Sequence, residues 1–256
     1  MLQCLVLAGG IGTRMRPQTE QVPKALIPVL DRPFCDWQLE LLAANGVERV
    51  LYSVGYKGEM LREHVGDGGR FGLEVKYVDE GEHLRGTGGA VRLAYDLGEL
   101  EGAFFVLYGD SYLPIDYRAV EGAWEDTSLP ALMTVFRNEG QWDQSNAIYG
   151  DGQVVLYDKD RPPDRVEEMR WIDYGLSVLS RNVIGDYCVP GAVADLADLT
   201  RELSREGKLA GYEVTQRFYE AGSPEGLADL ERYLTEGSPR LRHFARSRQV
   251  WRSASR

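Results

Sequence analysis

Strand-like and helix-like segments alternate along the first half of the chain, and this alternation constrains the fold more than any other feature. Short apolar runs typical of buried strands occupy residues 2–7, 47–54, 73–78 and 103–108. Segments with apolar residues near helical spacing separate them, at residues 33–44, 58–65 and 86–97. Strands that alternate with helices favour a parallel sheet joined by right-handed crossovers.

The second half of the chain is richer in strand-like segments. These lie at residues 131–137, 145–149, 153–157 and 171–179, and helices are expected near 192–205 and 223–235. Since no internal repeat and no low-complexity linker interrupts the pattern, the sequence predicts a single domain over residues 1–236. In open α/β sheets ligands bind beyond the carboxyl ends of the strands, so we expect the functional site at that edge.

Charge is distributed unevenly. Residues 237–256 form a basic C-terminal tail with six arginines and no acidic residue. This tail is either a solvated end or a segment that docks on the acidic body or on a partner subunit. The whole chain has a formal net charge of −11, opposite to what a duplex-binding protein normally carries. We therefore expect no contact with nucleic acid.

Apolar runs and cysteines indicate the compartment. No apolar run approaches the roughly 18 to 20 residues that a membrane helix needs. Residues 2–8 are apolar but short, and they lack the preceding basic residues of a signal peptide. The cysteines Cys4, Cys35 and Cys188 form no CxxC pair and have no metal-ligand spacing. We expect them to be reduced and mostly buried, and we expect a cytoplasmic protein without membrane contact.

The segment over residues 7–29, LAGGIGTRMRPQTEQVPKALIPV, carries the strongest functional signal. A predicted strand leads into a loop with three glycines, Gly9, Gly10 and Gly12. Glycines let backbone N–H groups approach phosphate oxygens, and such loops bind anions. Arg14 and Lys24 add fixed positive charge, which a triphosphate needs because negative charge shifts onto the pyrophosphate as it leaves.

Other glycine-rich sites fit this segment less well. Gly10-x-Gly12 resembles the start of a dinucleotide-binding GxGxxG turn, but Met15 occupies the third glycine position and Arg14 would crowd a helix N-terminus there. A P-loop would need GxxxxGK[ST], which is absent. On the glycines alone, a plain tight turn stays open.

The string GGIGTRMRP followed by PKALIPV resembles the signature of the sugar nucleotidylyltransferase family. The likeness is greatest to mannose-1-phosphate and heptose-1-phosphate guanylyltransferases and their uridylyl and thymidylyl relatives. It spans residues 1–235 and is densest over residues 2–30, 46–92 and 103–112. The resemblance implies a Rossmann-like three-layer α/β/α sandwich with a mixed, mostly parallel central sheet, as in nucleotide-diphospho-sugar transferases. It also implies an enzyme that uses Mg²⁺ to join an NTP and a sugar 1-phosphate into a nucleotide sugar, with release of pyrophosphate.

The resemblance assigns catalytic and nucleotide-binding roles to individual residues. Arg14 would grip the triphosphate. Lys24 would lie between the α-phosphate and the incoming sugar phosphate, where its charge reduces the repulsion between two anions. Asp110 would act in catalysis as a metal ligand. The nucleotide would be bound by Leu7, Ala8, Gly9, Gly10, Gly12, Thr13, Glu80, Gly86 and Thr87.

Two carboxylates are expected to hold the Mg²⁺ ion. Asp110 follows the apolar run at 103–108, and a carboxylate at the C-terminal end of a strand beside a phosphate loop is well placed for Mg²⁺. A structural helix cap is the alternative for this residue. At the second metal position relatives carry an Asp before a helix start, and here the string RFYEAGSPEGL over 217–227 places Glu220 there. Glutamate can still bind magnesium, but its longer side chain changes the geometry.

The choice of base depends on the segment over residues 53–90, which looks especially like the heptose-1-phosphate group. Glu80 could accept hydrogen bonds from the N1–H and amino groups of guanine, and Gly86-Thr87 could offer backbone contacts. The alternative is that Glu80 is a solvated acid in the acidic stretch DEGE. We favour GTP, and UTP, CTP and dTTP stay open.

Three pairs of residues are expected to contact a sugar 1-phosphate of the heptose or mannose type. Tyr149-Gly150 resembles the YG turn of the family. In Asp158-Lys159, the lysine would bind the sugar phosphate and the aspartate a sugar hydroxyl. Tyr174-Gly175 stands where many relatives have Asn-Ala-Gly or Asn-Gly-Gly, a departure that argues against ordinary glucose or mannose recognition. Core packing of the tyrosines and a solvated Asp158-Lys159 pair are the alternatives.

Two other functions stay open. A catalytically silent subunit that senses nucleotide sugars would use the same fold, but such proteins usually lack the arginine, the lysine or the first aspartate, here Arg14, Lys24 and Asp110. Transfer to a non-sugar phosphate is the other alternative. His64, His83 and His243 show no triad pattern, which agrees with an attacking phosphate that is already ionised. The sequence does not determine the oligomeric state, and since dimers are common among relatives, a homodimer stays open.

Overall fold

The computed structural model describes residues 1–81, 83–142 and 144–236. The predicted basic tail over 237–256 lies outside the described residues. The strands are β1 Gln3–Leu7, β2 Pro28–Val29, β3 Arg32–Pro33, β4 Arg49–Val54, β5 Glu74–Asp79, β6 Ala103–Tyr108, β7 Ser111–Tyr112, β8 Ala131–Arg137, β9 Ala147–Gly150, β10 Gln153–Tyr157, β11 Trp171–Ser180, β12 Leu209–Val214 and β13 Tyr219–Glu220. The helices are α1 Phe34–Ala44, α2 Gly58–Val65, α3 Gly86–Asp96, α4 Tyr117–Glu125, α5 Arg181–Tyr187, α6 Leu196–Arg205 and α7 Pro224–Glu236.

Nine strands form one central sheet in the order β5-β4-β1-β6-β11-β8-β12-β10-β9. The predicted α/β class with a central sheet is confirmed. Among the described residues this sheet is mixed: β10 and β11 run opposite to its other seven strands, which gives four parallel and five antiparallel pairings within it. The parallel pairings β5-β4-β1-β6 all come from the first half of the chain, where helices connect the strands.

A short connection makes one pairing of the second half antiparallel. Strands β9 and β10 are joined by Asp151 and Gly152, with φ values of 51° and 76°. A two-residue Asp-Gly loop with positive φ at both positions is typical of a tight hairpin, and a hairpin can only join antiparallel strands. Strand β11 runs antiparallel to both β6 and β8 and so links the two halves of the sheet.

Apolar cores lie on both faces of the sheet. In β1, Cys4 and Val6 pack in one core and Leu5 packs in the other, because successive side chains of a strand point to opposite faces. Helices α1, α2 and α4 contribute to the first core, and α3, α5 and α6 contribute to the second. Strands buried on both faces explain the nearly continuous apolar sequences of β1 and β6. The three cysteines are free and buried, as predicted.

The carboxyl ends of β1 and β6 meet at one edge of the sheet. Leu7 is paired with Tyr108, and the N–H of Gly109 donates to the carbonyl of Leu7 over 2.9 Å. The loops that follow the two strands therefore begin side by side. Within the described ranges of the chain, no helix is long and apolar enough to cross a membrane.

Candidate active site

A cavity of about 360 Å³ lies at the carboxyl ends of β1 and β6. Its walls are the glycine loop after β1, the start of α3 and the turn after β6. All the residues predicted to act in catalysis or nucleotide binding line it, and the predicted metal ligand Glu220 lies close to Asp110 beside it. Those that line it are Leu7, Ala8, Gly9, Gly10, Gly12, Thr13, Arg14, Lys24, Glu80, Gly86, Thr87 and Asp110. Residues that are 100 positions apart in the chain thus face one space.

Glycine is required at two positions of the loop for different reasons. Gly12 has a φ of 68°, in the left-handed region that side chains rarely adopt. At Gly9 the constraint is space, since a Cβ atom there would lie 2.2 Å from the Oε1 atom of Glu80. The backbone after β1 therefore passes directly against the Glu80 carboxylate.

Glu80 is buried, with 7% of its surface exposed, which removes the alternative of a solvated acid. Its Oε2 atom accepts a hydrogen bond from the backbone N–H of Arg85 over 3.1 Å, and its Oε1 atom accepts one from the hydroxyl of Ser53 over 3.3 Å. Burial raises the pKa of Glu80, although these two hydrogen bonds oppose the shift. A carboxylate held in this way inside the cavity can accept hydrogen bonds from a ligand.

Lys24 and Asp110 form an ion pair between Nζ and Oδ2 in the cavity. Both side chains are largely shielded from solvent, which strengthens their attraction. Lys24 is placed by a single turn of 3₁₀ helix over residues 24–26, which follows the extended Pro23. Arg14 lines the same cavity, is exposed, and makes no ion pair with the described residues. Two positive side chains therefore face the space in which a triphosphate would lie.

Glu220 reaches the same region from the far end of the chain. Strand β13 pairs with β7 so that Glu220 is opposite Ser111, and the N–H of Ala221 donates to the carbonyl of Asp110 over 2.8 Å. A Cβ atom at Gly222 would lie 3.0 Å from Oε2 of Glu220 and 3.2 Å from Oδ2 of Asp110. The two carboxylates thus face one small space, and oxygen donors of this kind suit a hard divalent cation such as Mg²⁺.

A model of the nucleotidyl transferase family matches residues 3–146, more than half of the chain. The chain belongs to the sugar-phosphate nucleotidylyltransferases. It is 31% identical to a mannose-1-phosphate guanylyltransferase from Mycobacterium tuberculosis, over 94% of this chain and 67% of that protein. It is 26% identical to a D-glycero-alpha-D-manno-heptose 1-phosphate guanylyltransferase from Campylobacter jejuni, over 73% of this chain and 80% of that protein. Other relatives are named as uridylyl- and thymidylyltransferases.

The fold agrees with this assignment. The structure of HddC from Yersinia pseudotuberculosis, solved with GMP-PN, superposes with a TM-score of 0.70 at 23% sequence identity. The match covers 90% of this chain and 97% of HddC. The central sheet and its surrounding helices therefore have the nucleotide-diphospho-sugar transferase fold.

Lys159, which is predicted to bind the sugar phosphate, is connected to the cavity of this nucleotidylyltransferase by polar contacts through Asp195. The Nζ atom of Lys159 lies 3.0 Å from Oδ2 of Asp195, whose Oδ1 atom accepts a hydrogen bond from the hydroxyl of Thr87 over 2.8 Å. Burial alone would raise the pKa of Asp195, but hydrogen bonds from the Ala197 N–H, Lys159 and Thr87 together lower it. Asp195 thus links Lys159 to the predicted nucleotide-binding residue Thr87.

The structure gives the Tyr174 side chain a core position, which corrects the expectation that it faces the sugar. Only 2% of Tyr174 is exposed, its ring packs edge-on against Phe218 with centroids 5.9 Å apart, and its hydroxyl donates to the carbonyl of Arg217 over 3.4 Å. Gly175, with a φ of 105°, is instead close to Ser111 beside the Asp110 turn. At this pair, only the glycine lies near the cavity.

The side chains of Asp158 and Tyr149 also make contacts away from the cavity. Asp158 is 4% exposed, and its carboxylate accepts hydrogen bonds from the Asp160 N–H over 2.9 Å and from Arg205 of α6 over 3.3 Å. This favours a structural role over contact with a sugar hydroxyl. Tyr149 and Gly150 belong to β9 at the end of the sheet order, and the Tyr149 ring packs edge-on against Trp171. Neither Tyr149 nor Gly150 lines the cavity.

Asp173 is a carboxylate that the sequence patterns did not single out. Its Oδ1 atom accepts a hydrogen bond from the Gly175 N–H over 2.9 Å. Burial raises its pKa from 3.8 to about 6, although this hydrogen bond and the charge of Lys159 oppose the shift. Burial, and after it the charge of Asp173, raises the pKa of Tyr108, which lines the cavity. In the sequence, Asp173 could have been identified by its position one residue before the predicted sugar-binding pair Tyr174-Gly175. Asp173 therefore interacts electrostatically with both Lys159 and the cavity residue Tyr108.

Among the described residues, one other group places three possible metal ligands close together. Atoms of Cys35, Asp36 and His64 lie within 4.8 Å of one another. Arg70 lies 2.9 Å from Asp36 and 2.6 Å from His64, and Arg32 lies 3.8 Å from Asp36. Because two guanidinium groups already balance the charge of Asp36, we assign this group to an ion-pair cluster at the start of α1.

Proposed function

We propose that this nucleotidylyltransferase joins an NTP, with GTP favoured, to a sugar 1-phosphate of the heptose or mannose type, and that Asp110 and Glu220 hold the Mg²⁺ ion it needs. The observation that carries the proposal is the convergence of the glycine loop, Arg14, Lys24 and Asp110 on one cavity. The membership of the family and the names of the guanylyltransferase relatives support it.

The proposed reaction needs no covalent intermediate on the protein. An oxygen of the sugar 1-phosphate attacks the α-phosphorus, and the bond from this phosphorus to the oxygen bridging to the β-phosphate breaks in line. Pyrophosphate leaves with the electron pair of that bond. The attacking phosphate is already ionised, so no general base is required. What the protein supplies is positioning and charge stabilisation.

The residues of the cavity take separate parts in this reaction. Backbone N–H groups of the glycine loop and the Arg14 side chain bind the triphosphate. Lys24 neutralises charge where the two phosphates meet. Asp110 and Glu220 would hold the divalent cation, which when bound stabilises negative charge on phosphate oxygens. Lys24 also holds Asp110 in place through their ion pair.

Glu80 supports guanine as the base. Its buried carboxylate faces the glycine loop, and guanine offers two adjacent donors, the N1–H and the amino group. Uracil and thymine offer one donor on the corresponding edge. A site built to accept two hydrogen bonds discriminates against a ligand that leaves an acceptor unpaired. Lys159, which Asp195 links to the cavity residue Thr87, and Asp173, which interacts with Lys159, are the residues that we propose for contact with the sugar phosphate and a sugar hydroxyl.

The test is pyrophosphate release in the presence of Mg²⁺, with ATP, GTP, CTP, UTP and dTTP each combined with a panel of hexose and heptose 1-phosphates. We expect release only when GTP and one sugar phosphate are present together. Release with another NTP would correct the base, and release with an alcohol phosphate or phosphonate would correct the acceptor. If no substrate pair released pyrophosphate but a nucleotide sugar bound tightly, the protein would instead be a sensing subunit.

A further inference from the structure

Gln38 lies at the centre of α1 and is directed at the turn that carries Asp110. It is 1% exposed. Its side-chain Nε2 donates to the carbonyl of Tyr108 over 2.9 Å and to the carbonyl of Ser111 over 2.8 Å. Because both partners are carbonyl oxygens, the group that faces them must be the NH₂ of the amide. Its two hydrogens are thus used on either side of Gly109 and Asp110.

The two carbonyl groups that accept these hydrogen bonds lie on either side of the short turn between β6 and β7. Only Gly109 and Asp110 separate β6 from β7, and Asp110 is the point where Lys24 and Glu220 converge. A small rotation of this turn would change the direction of the carboxylate. The amide of Gln38 restricts that rotation by fixing the backbone both before and after the turn.

The remaining oxygen of the amide is costly for the fold. Oε1 of Gln38 is buried and accepts no hydrogen bond within the described part of the protein. A buried acceptor without a partner destabilises a protein relative to an apolar group of the same shape. A glutamine that served only to fill space in α1 could be replaced by methionine or leucine without this cost. The useful property of the side chain is therefore its pair of donors.

We infer that Gln38 is a positioning residue, which holds the turn between β6 and β7 so that Asp110 presents its carboxylate to a divalent cation together with Glu220. The inference rests on the metal site of the proposed function. It does not require Gln38 to contact the substrate or the metal.

The experiment measures Mn²⁺ binding by the loss of the free-ion EPR signal, without nucleotide or sugar, so that it does not depend on activity. Gln38→Met keeps the length of the side chain and removes both donors. We expect it to weaken Mn²⁺ binding by about 10- to 100-fold, as observed when groups that orient a metal ligand are removed. Asp110→Asn serves as the reference for loss of the site. Unchanged Mn²⁺ affinity in Gln38→Met, or a wild-type affinity that Asp110→Asn does not change, would overturn the inference.

A matched variant separates positioning from general destabilisation. Leu42, on the same helix, is fully buried and has no bond to the turn. Leu42→Ala should lower the unfolding temperature while leaving the Mn²⁺ affinity as in the wild type. If Leu42→Ala weakened Mn²⁺ binding as much as Gln38→Met, the effect would be one of stability and the inference would be wrong.

Gln38→Glu gives a further readout. When ionised, its carboxylate has no donor and faces two carbonyl oxygens; when protonated, it offers one donor. We expect the Mn²⁺ affinity of this variant, relative to the wild type at the same pH, to recover partly as the pH falls. A Mn²⁺ affinity equal to that of the wild type at every pH would contradict the proposed hydrogen bonds, because a glutamic acid has at most one donor. Failure of the proposed function would look different, as a wild-type protein that binds Mn²⁺ through Asp110 but releases no pyrophosphate with any substrate pair.

Discussion

Lys24 and Asp110, which are 86 residues apart in the sequence, form an ion pair inside the cavity at the carboxyl ends of β1 and β6. Lys24 comes from the loop after the first strand and Asp110 from the turn after the sixth. The pair therefore joins the two adjacent parallel strands on which the site is built. It also places the lysine next to the carboxylate that we propose as a metal ligand.

Lys24→Ala and Asp110→Asn should each reduce kcat by about 10²- to 10³-fold, because each removes charge that acts on the reacting phosphates. The measurement is pyrophosphate release at saturating substrate, with circular dichroism to check the fold. Lys76→Ala is the matched control, since Lys76 is 60% exposed on β5. A near-normal rate in either active-site variant would remove this assignment.

Glu220→Gln should raise the Mg²⁺ concentration needed for half-maximal rate, because an amide oxygen binds Mg²⁺ more weakly than a carboxylate. Glu220→Asp keeps the negative charge on a shorter side chain, so it should retain activity. Glu225→Gln, at an exposed position in the first turn of α7, is the control. The same Mg²⁺ requirement in Glu220→Gln and the wild type would exclude Glu220 as a ligand.

Gly9→Ala should destabilise the protein by about 1–3 kcal/mol, the usual cost of forcing an extra methyl group into a filled space. The new Cβ would lie 2.2 Å from the Glu80 carboxylate. Gly10→Ala is the matched control, because a Cβ there meets no atom within 4 Å. Thermal unfolding of both variants provides the comparison. Adding Glu80→Ala to Gly9→Ala should recover much of the lost stability, and an absence of recovery would show that the strain arises elsewhere.

Asp173 should make stability fall as the pH rises. Burial raises its pKa from 3.8 to about 6, so the folded protein holds this proton more tightly than the unfolded chain. Its contribution to stability is therefore present below about pH 4 and is lost as the pH rises through about 6. Asp173→Asn, whose amide oxygen can still accept the Gly175 N–H, should unfold at a higher temperature than the wild type above this range.

The advantage of Asp173→Asn should disappear near pH 4, where the wild-type carboxyl is protonated in both states. Thermal unfolding from about pH 4 to pH 8 measures the difference. Asp164→Asn is the control at an exposed position. If Asp173→Asn and Asp164→Asn differed from the wild type by the same amount at every pH, the raised pKa of Asp173 would be wrong.

Several secondary-structure elements were not predicted from the sequence. Helix α4 was missed although Asp116 shows an N-cap signal, and its side chain accepts hydrogen bonds from the N–H groups of Arg118 and Ala119. The seven residues of α5 are too few for a clear helical period. Strand β12, between β8 and β10, was also missed, because its sequence LAGYEV contains a glycine and lacks clear alternation.

The sequence by itself determined the parts of this protein that depend on neighbouring residues. The apolar run of β1, the glycines that follow it and the Gly109-Asp110 turn specify local backbone conformations and bring charged groups to strand ends. Parallel strands then place those ends at the same edge, which is why the predicted nucleotide-binding residues line one cavity.

The tertiary structure alone decided which distant groups share a space. Three contacts depend on which helix packs on which strand. Gln38 donates to the turn that carries Asp110, Asp158 bonds to Arg205, and Tyr174 packs in the core. A local pattern carries no such information, because a polar side chain can satisfy its hydrogen bonds with any suitably placed partner. Long-range packing selects the partner, and with it the difference between a residue of the site and a residue of the fold.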